Sequence, residues 1–171
     1  MEIISTTQLV AQYSTPIFRF CLKLAYSKED AEDLLQDTFV WAFQNMEKVN
    51  RHPQRHLFAA AMYLWKSKKR RFARRKRLAP TESLDMTVAA SISGDDDVEA
   101  AVLKKEDARL VQALVDQLPD RLKIPIILHY TCDMDIKTIA STLNVPEGTI
   151  KSRLHKARKT IEKGLVKNQW I

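Results

Sequence analysis

The stretch that governs the fold is Met134–Ile161, MDIKTIASTLNVPEGTIKSRLHKARKTI. In its second part, Ile150, Leu154, Ala157 and Ile161 recur at steps of four, three and four, which is one face of an α-helix. Lys151, Ser152, His155, Lys156 and Lys159 fall on the other faces. Pro146 suits the first turn, because proline has no N–H to lose there and its φ is already near helical. Glu147 puts an acid at the positive helix end, and lysines and arginines crowd the negative end. In the first part, Ile136, Ile139, Ala140 and Leu143 mark a shorter amphipathic helix, followed by a tight turn at Asn144–Pro146. Helix, tight turn and longer basic helix is the helix-turn-helix pattern, whose second helix enters the major groove by its N-terminal residues. Thr149, Lys151, Ser152, His155 and Lys156 then project toward DNA, where hydroxyls and ammonium groups can reach base edges or phosphates. An antiparallel helical hairpin with a solvated basic face has the same pattern.

The chain has 171 residues and a net charge of +7, which suits an anionic partner. With 3 glycines, 6 prolines and no convincing strand alternation, it reads as all-α. Cys21 and Cys132 lack CxxC spacing and sit in apolar surroundings, as reduced core thiols do. No signal-peptide pattern and no bilayer-length apolar run is present, so a cytoplasmic protein is expected.

Charge is blocked rather than mixed. KSKKRRFARRKR, residues 66–77, contains no acid. APTESLDMTVAASISGDDDVEA, residues 79–100, is small, polar and acidic, which is a linker composition. Two small helical domains joined by a flexible linker follow, at 1–79, 80–97 and 98–171, each with a modest core of its own. In the first domain, Leu9, Tyr13, Ile17, Phe20, Cys21 and Leu24 share a side, and Pro16 should kink that helix or start a new one. Ser27 caps the next helix. Ala31, Leu34, Leu35, Thr38, Phe39, Ala42 and Met46 cover one of its faces; Glu29, Asp30, Asp33, Gln36, Asp37, Val40 and Gln44 cover the opposite one. Aligned carboxylates suit an arginine-rich protein surface, and a solvated face carries the same pattern. Beyond it, Leu57, Phe58, Ala61, Trp65 and Phe72 share a side of a strongly basic helix that repels itself unless an anion lies against it. Tyr63 and Trp65 are aromatic enough to stack on exposed bases, with the core as the better place for Trp65.

Three segments together resemble the extracytoplasmic-function (ECF) sigma factors of bacterial RNA polymerase. DAEDLLQDTFVWAF (30–43) resembles their region 2.2, LPDRLKIPIILHY (118–130) the start of region 4, and IASTLNVPEGTIKSRLHKARK (139–159) their region 4 signature. The resemblance implies a transcription initiation factor that is not itself an enzyme. Asp30, Asp33, Gln36 and Asp37 would dock on the β′ clamp helices of core polymerase, with the β subunit as a further contact. Thr149, Lys151, Ser152, Arg153, His155 and Lys156 would read the −35 element of promoter DNA. Met46–Arg77 would melt and capture the −10 element. In the family a loop, here NMEKVNRHPQRH (45–56), holds a flipped base, with Asn50, Arg51, His52 and Arg55 as candidates. Lys66, Lys69 and Arg70 would hold phosphate. An anti-sigma factor, frequently membrane-anchored, is implied as a partner. No cofactor, metal or small-molecule substrate is. Departures from the family pattern place Tyr63 and Ser67 at its Asn and Asp positions, and Pro125 where a helix former is usual, so that helix should begin late or bend.

Two rival readings remain at this stage. One is a helix-turn-helix regulator with a dimerisation or sensing domain. The other is a nucleic-acid enzyme, which would need a convergent cluster; the acids instead follow one open face, and His52 and His56 lie in a basic stretch.

Overall fold

A computed structural model describes the backbone of residues 3–25, 27–78 and 98–169. The 80–97 linker and the side chain of Phe72 lie outside the described residues. All regular structure among those residues is helical: α1 (Thr6–Leu24), α2 (Lys28–Gln44), α3 (Met46–Arg51), α4 (Pro53–Leu78), α5 (Val98–Asp116), α6 (Asp120–Tyr130), α7 (Ile136–Leu143) and α8 (Glu147–Gln169).

The first half packs α1, α2 and α4 together, with α3 against the start of α4. Ser5 opens α1 with a reciprocal cap: its hydroxyl accepts from the Gln8 amide at 3.2 Å, and Gln8 Oε1 accepts from the Ser5 amide at 2.9 Å. Of the kink or new helix expected at Pro16, no new helix starts: α1 runs through Pro16 as one helix. Proline removes one backbone bond there, whereas Leu9 before it and Ile17, Phe20, Cys21 and Leu24 after it all bury on the same side. Each large buried side chain contributes about 1.5–3 kcal/mol, which offsets the lost bond. Phe20 meets Phe58 of α4 edge to face at 5.3 Å between ring centres.

The second half packs α6, α7 and α8 around Leu122, Ile127, Ile139, Ile150 and Leu154, with α5 laid on α8. Of the late start or bend expected for α6, the late start does not occur. It begins at Asp120 and carries Pro125 inside, buried among Leu122, Ile124 and Ile126–Leu128. Asp135 caps α7, its carboxylate accepting from the Thr138 amide at 2.6 Å, and that bond holds the carboxyl below its usual pKa. Asn144 ends α7 in the left-handed region (φ 54°), and Val145 N–H closes on the Ala140 carbonyl at 3.0 Å. Pro146 stands just before α8 rather than inside it; its carbonyl accepts from the amides of Thr149 and Ile150.

The halves do not keep separate cores. Their buried side chains join in one cluster, with α4 against α7 and α1 against α6. Among the described residues two polar contacts cross the junction: Lys69 Nζ to Asp120 Oδ1 at 3.2 Å, and Lys23 Nζ to Gln112 Oε1 at 2.6 Å.

Candidate functional site

α8 has two sharply different faces. Ile150, Leu154 and Ala157 are at most 1% exposed, and Ile161 is half-buried. Lys151, Ser152, His155 and Lys156 are exposed, while Thr149 and Arg153 are half-buried. Beside them is an open concavity of about 420 Å³, lined by Gly148, Thr149, Ser152, Arg153 and Lys156 of α8 and by Arg121 and Leu122 of α6. Sequence reading did not find Arg121, because it lies about thirty residues upstream on a different helix. Arg158 is drawn aside: its Nε donates to the Tyr130 hydroxyl at 2.6 Å, and its guanidinium lies 5.5 Å from that ring centre.

The 45–56 segment is not a loop. Met46–Arg51 is helical, α4 starts at Pro53, and His52 alone stands between them with an exposed side chain. Asn45 starts this corner through its carbonyl, which accepts from Lys48 and Val49 at 3.0 Å. Arg51 is exposed and paired with Glu47 at 3.2 Å. Asn50 is half-buried, with Oδ1 shielded and unpartnered among the described residues. Arg55 faces the other half, in a concavity of about 530 Å³ shared with Lys137, Ala140 and the Asn144–Glu147 turn. Cations accumulate here: His56 has its pKa pushed down first by burial, then by the charges of Arg55, His52 and Lys48. Along α4, Lys66 and Arg70 are exposed, whereas Lys69 is held by Asp120 and lies 5.0 Å from the Trp65 ring centre. Trp65 is a core residue, 5% exposed; Tyr63 is 65% exposed.

On α2, Ala31, Leu34, Thr38, Phe39 and Ala42 bury, and Glu29, Asp30, Asp33, Gln36, Asp37, Val40 and Gln44 are exposed. The Ser27 hydroxyl caps the helix on the Asp30 amide at 3.0 Å. Asp37 is already paired within the chain, with Lys68 of α4 at 2.9 Å. Phe43 adds exposed apolar surface next to Val40, which sequence reading had placed on the stripe alone.

Both cysteines are free thiols. Burial, before any other cause, pushes each up to about 12, so both stay protonated and unreactive. Among the described residues no group of three His, Cys, Asp or Glu side chains is placed to hold a metal ion. No helix of those residues is long and apolar enough to cross a membrane.

Residues 9–77 match the family model for sigma-70 region 2, and residues 108–161 match that for sigma-70 region 4. The chain is 30% identical over 152 residues to the ECF RNA polymerase sigma factor SigL of Mycobacterium tuberculosis (strain ATCC 35801 / TMC 107 / Erdman), covering 87% of this chain and 82% of SigL. It is 29% identical over 166 residues to the ECF RNA polymerase sigma factor SigW of Bacillus subtilis (strain 168), covering 92% of this chain and 87% of SigW. Its fold is similar to that of the sigma factor RpoE crystallised with the anti-sigma factor NepR of Bartonella quintana. There the TM-score is 0.74 at 20% identity, over 93% of this chain and 95% of that one. CnrH, solved in complex with the cytosolic domain of CnrY, gives 0.67 at 18% identity, over 94% and 86%.

Proposed function

The chain belongs to the extracytoplasmic-function sigma factors of RNA polymerase, which direct transcription initiation at specific promoters, and from that membership we propose how its surfaces divide the work. Residues 1–79 act as region 2, 80–97 as the connection and 98–171 as region 4. The exposed face of α2, with Asp30, Asp33, Gln36 and Asp37, docks on the β′ clamp helices of core polymerase, and the β subunit supplies a further contact. Region 4 reads the −35 element as duplex through Thr149, Lys151, Ser152, Arg153, His155 and Lys156. The α3–α4 corner, with Asn50, Arg51, His52 and Arg55, captures the −10 element, while Lys66, Lys69 and Arg70 hold phosphate and exposed Tyr63 stacks on an unpaired base. The chain does no bond chemistry of its own; the polymerase does. It works in the cytoplasm, and an anti-sigma factor, soluble or membrane-anchored, holds it in reserve, as NepR and CnrY accompany the two solved relatives.

The observation that carries the DNA assignment is the contrast on α8 between a fully buried apolar face and an exposed face of Lys151, Ser152, His155 and Lys156. A helix so firmly seated offers its outer residues in fixed geometry, which base reading requires. Elements centred near −10 and −35 lie about 25 base pairs apart, roughly 85 Å of duplex. A compact chain of this length has a radius of gyration of only about 16 Å. Reading both elements at once therefore requires the halves to part and the Lys69–Asp120 pair to break.

The test is holoenzyme transcription from a library of −35 variants, with each exposed α8 residue changed to alanine in turn. Loss of a base reader, with Lys151, Ser152 and Lys156 as the first candidates, costs about 1–3 kcal/mol and relaxes preference at one position. Loss of a phosphate anchor weakens every promoter alike. Wild-type strength and preference in every variant would reduce α8 to a solvated helix.

A further inference from the structure

We infer that Cys21 of α1 and Cys132 of the α6–α7 turn form a modification site, a pair of thiols across the junction of the halves that a hydroperoxide converts to a disulfide fastening the closed arrangement. The site itself is independent of the proposed DNA contacts; its effect on transcription rests on them.

The chain carries two cysteines, one in each half, and both are free. Cys21 lies on the buried side of α1 and is 0% exposed. Cys132 comes two residues after α6 and is half-buried against the same core cluster. α1 packs on α6, and Lys23, two residues past Cys21, is bonded to Gln112 of α5. The charges felt at each thiol identify its neighbour. After burial, the charge of Cys132 is the next cause that raises the Cys21 thiol. After burial and Asp133, which raise the Cys132 thiol, Arg19 of α1 acts on it in the opposite sense. Residues 19 and 21 of α1 thus lie beside the turn that carries Cys132.

That turn is firmly closed. Asp133 stands in the left-handed region at φ 51°, and the Met134 N–H donates to the Leu128 carbonyl at 3.1 Å. Met134 is 3% exposed, and His129 Nδ1 lies 2.9 Å from its carbonyl. The backbone of Cys132 is therefore fixed relative to α6, and closing the halves returns it to the same place on α1.

While the halves are closed, burial keeps both thiols protonated and the pair is inert. Reading two distant promoter elements requires the halves to part, and parting removes α1 from Cys132. Its thiol then returns toward the ordinary value of about 8.5, and the thiolate attacks hydrogen peroxide, a small neutral oxidant. A sulfur–oxygen bond forms, the oxygen–oxygen bond breaks, and the hydroxide that leaves takes up the thiol's proton as water. When the halves close again, the Cys21 sulfur attacks the sulfenic sulfur of Cys132. The sulfur–sulfur bond forms, the sulfur–oxygen bond breaks, and the leaving hydroxide takes the Cys21 proton. Two thiols are oxidised by two electrons, and one peroxide is reduced to two waters. The halves are then tied together and cannot span a promoter.

The test treats the full chain with hydrogen peroxide, removes the peroxide with catalase, and only then adds core polymerase and promoter DNA. Mass spectrometry without reductant should show a monomer lighter by two hydrogens. With two cysteines in the chain, an intramolecular disulfide must join Cys21 to Cys132. The bond needs the two Cα atoms within about 7 Å, so its formation also measures the closed junction. Run-off transcription should fall in proportion to the disulfide fraction and return with dithiothreitol. Cys132→Ser should transcribe equally before and after peroxide, and Cys21→Ala, which changes the other partner, should do the same. Chain already assembled with core, which holds the halves apart, should be spared the bond. No disulfide, a disulfide only between two chains, or full transcription by the fully bonded chain overturns the inference. So does an equal loss in the cysteine variants, or an equal disulfide yield in the holoenzyme. If the reduced chain transcribes and no disulfide forms, only this inference falls. If the reduced chain fails to initiate with core, the proposed function falls, and the mass alone decides whether the site exists.

Discussion

The two regions proposed to face DNA are built in opposite ways. α8 presents its charges on one side of a helix whose other side is fully buried at Ile150, Leu154 and Ala157. α3 and α4 scatter theirs: Arg51 pairs with Glu47, Asn50 turns its oxygen inward, Arg55 faces α7, and Lys69 is held by Asp120. A rigid, outward face suits the reading of intact duplex, where geometry is fixed in advance. A corner whose cations are partly engaged elsewhere suits a job that begins only after the halves part.

The largest effect is expected on α2, outside both DNA regions. Asp33→Arg with Asp37→Arg places like charge against the proposed polymerase surface, which costs several kcal/mol of core binding. The Asp37–Lys68 pair is half-exposed, so its loss changes stability by no more than about 1 kcal/mol. Anisotropy titration against core polymerase checks the first figure and circular dichroism the second. Normal core binding by the folded double variant would remove the docking assignment.

The next effect sets the two faces of α8 against each other. Leu154 is 1% exposed, so Leu154→Ala should destabilise the chain by about 2–5 kcal/mol. His155→Ala, one residue on and exposed, should stay within about 0.5 kcal/mol of wild type. Equal losses in a thermal melt would mean that the faces are not distinct.

The smallest effect sharpens the contrast from the α4 side. The Lys69–Asp120 pair is partly solvated and worth about 0–1 kcal/mol. Asp120→Ala should therefore leave promoter affinity unchanged or slightly raised, because it frees Lys69. Lys69→Ala should weaken all promoters alike and lower the salt slope by about one. If both variants weaken promoter binding equally in a filter-binding assay, Lys69 acts through the pair and not on phosphate.

Much of this was legible in the sequence wherever one helix carried the whole signal. The stripes on α1, α2 and α8, the Ser27 cap and the α7–α8 turn depend on residues three or four apart, and strict periodicity exposes them. Pro16 and Pro125 end or delay no helix, because propensity is local whereas the burial around them is tertiary. The 45–56 segment looked like a loop because its polar residues hide a six-residue helix that buries only Val49. Arg121 beside α8, Arg55 beside α7 and Lys69 against Asp120 are meetings of residues far apart in the chain. No pattern along one helix announces them, and the joined core that creates them was not foreseen.

The most direct measurement is run-off transcription with purified core polymerase, promoter DNA and this chain. Core with the chain should initiate at a defined promoter; core alone should not, and the chain alone should bind that promoter poorly. Tight, sequence-specific binding to a palindromic site by the chain alone, with no start made in the presence of core, would contradict the assignment and identify an ordinary helix-turn-helix regulator instead.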